Sequence, residues 1–198
     1  MLLVRHGQTA TTGTTLPGRA PGLRLADPGR REAEAVAARL ARLPRLAAVY
    51  TSPMERARET AALIARARGL PVRVERGLNE CDTGAWTGRL LRELRRTAEW
   101  RIVQRHPSGF RFPGGESFLE MQTRVTSALG RLVERHPGET IVAVSHADPI
   151  KSAVAHALGS HLDLFQRIVV STASVTAIAY RATGPIVLAV NSVDGDVG

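Results

Sequence analysis

Leu2-Leu3-Val4-Arg5-His6-Gly7-Gln8-Thr9 decides the reading of this chain: an aliphatic run that breaks abruptly into Arg, His and Gly. The run has the length of a short buried strand, and the polar residues fall just past its carboxyl end. Arg5 brings a fixed cationic fork suited to phosphate oxygens. His6 brings an imidazole that can attack, or give and take a proton, near neutral pH. Gly7 removes side-chain bulk and lets backbone approach a ligand.

Outward from this stretch the chain alternates strands and helices. Thr9 to Leu25 is rich in Thr, Gly and Pro and carries Arg19 and Arg24; a loop of that length in a compact domain is often functional. Asp27-Pro28 predicts a helix cap followed by Pro at the first helical position, with Ala33, Val36, Ala37, Leu40 and Leu43 as the apolar stripe. Ala47 to Thr51 predicts a second strand, and Ser52-Pro53-Met54-Glu55 reads as a capping box opening a helix with Arg56 in its first turn. Val72 to Val74 is a third short strand. Leu78 to Gly88 is punctuated by Gly and holds Glu80, Asp82 and Trp86. A helix is expected from about Leu90 to about Arg105, then a loop from His106 to Gly115. Ser117 to Glu120 forms another capping box, ahead of Met121, Val125, Ala128 and Leu132 on a buried face. Thr140 to Ser145 is the clearest internal strand, ending at His146, and Asp148-Pro149 predicts the cap of the next helix. Val175 to Arg181 and Ile186 to Asn191 read as a hairpin.

Composition bounds the function. The 198 residues are expected to form a single domain, 1–198, of globular composition, with 43% hydrophobic and 23% charged residues. No apolar run is long enough to span a bilayer, and no basic leader with a cleavage site precedes the first strand. Cys81 is the only cysteine, which excludes an internal disulfide and fits a cytoplasmic location. The net charge of +9 comes almost wholly from Arg, with Lys151 the sole lysine. These Arg residues are scattered along helices without a tract or a recognition motif, so no nucleic-acid partner is expected. His6 and the pair His146 and Asp148 match no metal-ligand spacing, and neighbouring Arg residues would repel a cation, so no metal is expected. His106 and His136 each precede a Pro in a polar loop and are expected to be solvated, while His156 and His161 sit where a helix end favours them.

This alternation implies an α/β fold: a three-layer α/β/α sandwich with a mostly parallel central sheet and helices on both faces. Ligands of such sheets bind beyond the strands' carboxyl ends. Arg5, His6, Arg56 and His146 all lie just past predicted strand ends, beside helix N-termini that favour anions. A phosphate group is the ligand this collection favours. A neutral imidazole can take the phosphoryl group, guanidinium groups can balance the equatorial oxygens, and a carboxylic acid of raised pKa can protonate the leaving alkoxide.

Four stretches together resemble the histidine phosphatase superfamily, in its phosphoglycerate mutase-like branch. They are Leu3 to Thr9, Ser52 to Ala61, Leu78-Asn79-Glu80 with Gly84 to Gly88, and Val144-Ser145-His146. The resemblance implies His6 as the phosphorylated nucleophile, with Arg5, Arg56 and His146 completing the phosphate pocket. Glu80 matches the family's usual proton donor, and Asp82 is the alternative. Gln8 replaces a frequent Glu, and Thr12 stands where many members carry an Asn that touches the phosphate. Ala147-Asp148 replaces the more usual glycines. Substrate choice is expected to rest on the Thr9–Leu25 loop, Arg19 included, and on a lid-like insertion at about 78–117, where Trp86, Phe110 and Phe112 either line a pocket or pack the lid. The implied activity is hydrolysis of a small phosphomonoester through a phosphohistidine, without a cofactor. A cofactor-dependent phosphomutase and a non-catalytic phosphate-binding protein are the alternatives. The expected partner is a small anionic phosphate ester, with no membrane partner, and self-association as a homodimer is allowed.

Overall fold

The structure, a computed structural model, describes residues 1–195. Its six strands are β1 (Leu2–Arg5), β2 (Ala48–Thr51), β3 (Val72–Val74), β4 (Ile141–Ser145), β5 (Val175–Arg181) and β6 (Gly184–Ser192). They form one sheet in the order β3-β2-β4-β1-β5-β6. The first four are mutually parallel, whereas β5 runs antiparallel to β1 and β6 antiparallel to β5. The sheet is therefore mixed and mostly parallel, as the strand–helix alternation predicts.

Strand pleating sorts the core into two layers. Val4, Val49, Val142 and Val144 face one side of the sheet. There they pack against α1 (Asp27–Ala41) and α2 (Glu55–Arg68) through Val36, Leu40, Ala57, Ala61 and Ile64. Leu3, Tyr50 and Ala143 face the other side, beneath α5 (Phe118–Arg135) and α6 (Ala147–Ala157). Successive strand residues point to opposite faces, so a parallel strand buried on both must be apolar throughout. β4 meets this, with all five residues buried.

Several local expectations are corrected. The segment expected as one helix over 90–105 is two, α3 (Leu91–Leu94) and α4 (Ala98–Arg105), with Thr97 capping the second by accepting from the Trp100 N–H. Asp27 lies inside α1, whose cap position is Ala26 without a side-chain bond. Ser52 does not cap α2; the cap position is Met54, and Ser52 turns inward. Asp148 is not a cap either: His146 holds that position and Asp148 sits in the first turn of α6. The Ser117–Glu120 capping box forms as expected. His136 is not solvated: its side chain is only 9% exposed, with Nε2 2.9 Å from the Tyr50 hydroxyl and Nδ1 2.6 Å from Glu139. Trp86, Phe110 and Phe112 pack with Trp100 and Phe118 in one cluster of rings, which anchors the 78–117 segment to the α5 side of the sheet. No described helix is long and apolar enough to cross a membrane.

Candidate active site

The parallel register brings three strand ends together. Arg5 pairs with Ser145 across β1 and β4, and Thr51 with Val144 across β2 and β4, so the residues that follow each strand emerge side by side. They are His6, Ser52 and His146. Gly7 then runs so close to Gly29 at the start of α1 that a Cβ on Gly7 would collide with the Gly29 carbonyl. The Gly7 N–H donates to Thr60 Oγ1 at 3.1 Å, and Thr60 Oγ1 donates back to the Arg56 carbonyl at 2.9 Å. The loop bearing His6 is thereby tied to the helix bearing Arg56.

The two imidazoles lie 5.1 Å apart, centroid to centroid, at 62°. Both are buried, and burial together with Arg56 holds each pKa well below the usual histidine value. Each ring is thus neutral, and its hydrogen bonds assign the tautomer. His6 Nδ1 lies 2.7 Å from the Gly7 carbonyl, which can only accept, so Nδ1 carries the proton and Nε2 keeps its lone pair. The Arg56 Nε–H points at that lone pair from 3.3 Å. His146 Nε2 lies 2.7 Å from Ser52 Oγ, and Ser52 Oγ already accepts the Met54 N–H at 3.2 Å. Its own hydroxyl proton is free for Nε2, which leaves His146 as the Nδ1–H tautomer, with that N–H turned into the site.

Three buried nitrogens here have no hydrogen-bond partner: Arg5 Nε, Arg56 NH1 and His146 Nδ1. Buried donors are nearly always satisfied, and an orphan marks a missing group. Arg56 is wholly buried, with NH2 held by the Gly18 carbonyl at 2.9 Å. Arg5 NH1 donates to the Val170 carbonyl at 2.8 Å, which orients its remaining edge. Three orphans on two guanidiniums and one imidazole describe an anion-binding cradle beside His6 Nε2.

Glu80 closes the cradle, its Oε2 3.9 Å from His146 Nδ1 and its Oε1 accepting the Cys81 N–H at 2.9 Å. Burial and the charge of Asp148 push its pKa up to about 7, against the opposing pull of Arg56 and Arg5. The backbone around it is clamped. Ser145 Oγ donates to the Leu78 carbonyl at 2.7 Å, Arg124 donates to the Gly77, Asn79 and Glu80 carbonyls, and Arg19 Nε donates to the Glu80 carbonyl at 2.8 Å. Glu116 holds both arginines, at 2.8 Å from Arg124 Nε and 2.8 Å from Arg19 NH2.

The site thus gathers Arg5, His6, Arg56, Glu80 and His146. Asp82 is turned away, accepting from Arg19 at 3.5 Å and from the Gly84 N–H at 3.1 Å. Arg19 is spent on clamping the Glu80 segment, and Thr12 stabilises its own turn by accepting the Thr9 N–H at 2.9 Å. The Gln8 backbone is held by Glu32 and Ala26 beside the site. Cys81 is buried and its thiol pKa is raised by that burial, as suits a packing residue. Sequence reasoning missed Ser52, Thr60, Glu116 and Arg124. Ser52 carried a usable signal, since it directly follows a strand end, but the capping-box pattern obscured it. Arg124 and Glu116 gave none, because nothing local shows which exposed-looking charges will meet.

Two neutral imidazoles, two guanidiniums each with a buried unpartnered nitrogen, and a carboxyl at the carboxyl edge of a mostly parallel sheet define a class: α/β proteins with an anion pocket built around histidine. The chain belongs to the histidine phosphatase superfamily (branch 1), whose family model matches residues 1–193. Phosphoserine phosphatase 1 of Hydrogenobacter thermophilus is 31% identical over 196 residues, covering 96% of this chain and 91% of that protein. The bifunctional protein Rv2228c of Mycobacterium tuberculosis is 36% identical over 187 residues, 93% of this chain; the match spans only about half of that relative, 51%. Among solved structures, Bacillus stearothermophilus YhfR superposes with a TM-score of 0.88 at 30% identity, covering 100% of this chain and 96% of that one.

Proposed function

We propose that this protein hydrolyses a small phosphomonoester through a phosphohistidine on His6. The observation that carries the reading is the set of three buried, unpartnered donors, Arg5 Nε, Arg56 NH1 and His146 Nδ1, around a histidine whose Nε2 lone pair is exposed to them. A phosphate dianion would satisfy all three. His6 Nε2 then attacks phosphorus in line, forming the N–P bond as the ester P–O bond breaks, and the leaving oxygen takes the proton of Glu80. The resulting Glu80 carboxylate draws a proton from a water that attacks the phosphohistidine, releasing phosphate and restoring both groups. His146 and the guanidiniums stabilise charge on the equatorial oxygens throughout. The phosphatase names borne by relatives such as the Hydrogenobacter protein support hydrolysis over mutase chemistry.

Hydrolysis of 4-nitrophenyl phosphate by wild type and His6→Ala, each with EDTA present, tests this. Activity that survives the chelator and vanishes in the variant is expected. Loss with EDTA alone would point to a metal phosphoesterase. Wild-type silence that lifts only with a bisphosphate primer would point to a mutase.

A further inference from the structure

Glu80 is held in a way that no regular element explains. Residues 79–83 lie outside any helix or strand, yet four successive carbonyls, those of residues 77 to 80, each accept a hydrogen bond from a side chain. Three of the four are taken by Arg124 of α5. Its NH1 donates to the Gly77 carbonyl at 2.7 Å and to the Asn79 carbonyl at 3.0 Å, and its NH2 donates to the Glu80 carbonyl at 3.3 Å. Nε and NH2 also donate to the two Glu116 oxygens at 2.8 and 2.9 Å, so all five N–H groups of this guanidinium are engaged and none is left for a ligand. From the Thr9–Leu25 loop, Arg19 reaches the same Glu80 carbonyl at 2.8 Å and the same Glu116 at 2.8 Å. Gly77 permits the close approach, since a Cβ there would stand 2.3 Å from the Ala128 Cβ of α5. The Glu80 side chain follows from this backbone. Its Oε1 accepts the Cys81 N–H at 2.9 Å, its own N–H donates to Asn79 Oδ1 at 3.0 Å, and Oε2 is left 3.9 Å from His146 Nδ1.

We infer that Arg124 and Arg19, joined through Glu116, are positioning residues for the proton donor: by fixing the backbone from Gly77 to Glu80 they hold the Glu80 carboxyl where the leaving oxygen must take its proton. The inference rests on Glu80 as the donor. Proton transfer demands hydrogen-bond reach, and a misplacement of about 1 Å costs about a hundredfold in rate. A guanidinium suits the task because one planar fork spans three carbonyls and a carboxylate together, whereas an ammonium has three donors and no such fork. Arg19 belongs to the loop expected to choose the substrate, so one carboxylate, Glu116, ties that loop to the aim of the donor.

The test is a split between two substrates. Arg124→Lys keeps the charge and loses the fork. It should lower kcat for glycerol 2-phosphate, which has a poor leaving group, by about tenfold to a hundredfold. Turnover of 4-nitrophenyl phosphate, whose leaving group needs no proton, and inhibition by vanadate, which reports the anion cradle, should change far less. General damage to the fold would lower both substrates together. In the Glu80→Gln background the same substitution should cost glycerol 2-phosphate hydrolysis nothing further, because residues acting through one donor are not additive. Arg19→Met removes a single hydrogen bond to the Glu80 carbonyl and should show the same selectivity on a smaller scale; it decides the question wherever Arg124→Lys does not fold. Equal losses on both esters, an unchanged rate with glycerol 2-phosphate, or a further loss in the Glu80→Gln background would overturn the inference while leaving Glu80 as donor. If Glu80→Gln alone hydrolyses glycerol 2-phosphate as wild type does, the donor assignment itself fails, and the positioning role with it.

Discussion

Replacing Ser52 by Ala should disable the site without touching any group that would contact the phosphate. The Ser52 hydroxyl is fully buried and sits 2.7 Å from His146 Nε2. Its removal leaves a buried ring nitrogen without a partner, and such an orphan costs about 1–3 kcal/mol. The ring can escape part of that cost by moving its proton from Nδ1 to Nε2, but the cradle then loses one of its three donors. A lost oxyanion donor typically costs about a hundredfold or more in kcat; a tautomer that is only partly shifted should cost between about tenfold and a hundredfold. Urea unfolding should register the stability loss of about 1–3 kcal/mol in parallel. The assays are 4-nitrophenyl phosphate turnover and ¹⁵N NMR of the His146 ring, which reports where the proton resides. A variant with wild-type kcat whose His146 is still protonated on Nδ1 would refute the claim that Ser52 sets the tautomer.

Glu80→Gln should slow alkyl phosphates by about a hundredfold or more while sparing aryl phosphates, whose leaving groups need no proton; equal losses on both substrates would remove Glu80 as the acid. Because the Glu80 pKa is about 7, alkyl ester hydrolysis should fall as pH rises through that value. Stability should fall on acidification: His6 and His146 are held well below their unfolded pKa, so below about pH 6.5 the unfolded chain takes up two protons that the fold resists. Glu80 works the opposite way between 4.5 and about 7, since its raised pKa favours the folded state as the proton binds. Two losses and one gain leave a net slope of about 1.4 kcal/mol per pH unit between about pH 4.5 and about pH 6.5, where all three groups contribute, and urea denaturation of His6→Asn should show that slope close to zero. Asn191→Ala should raise KM about fivefold with little change in kcat. Asn191 Oδ1 accepts the Ser171 N–H at 2.6 Å, and the adjacent Val170 carbonyl holds Arg5, so one hydrogen bond of about 1 kcal/mol stands behind the orientation of that guanidinium. An unchanged KM would mean that the segment keeps its shape without Asn191.

The sequence by itself determined the layers and the principal chemical groups, because both are local signals. An apolar run that ends in Arg-His-Gly is a strand entering a loop, and β4 ending at His146 repeats the pattern. Strand ends in a parallel sheet converge by topology alone, so the pattern itself gathers Arg5, His6, Arg56 and His146. Tertiary structure decided everything that depends on two distant segments meeting. Glu80 and Asp82 are equivalent as sequence; packing of the 78–117 segment under Arg124, Arg19 and Glu116 turns one carboxyl to His146 and the other to Arg19. Ser52 and Asp148 both look like helix caps to a pattern reader. Ser52 is instead a ring partner because β2 and β4 are neighbours, and Asp148 lies two residues past the cap position, inside the first turn of α6 and paired with Lys151. The physical reason is the same in each case: a residue's type and its local spacing follow from neighbours in the chain, whereas its burial, its tautomer and its proton affinity belong to whatever the fold places against it.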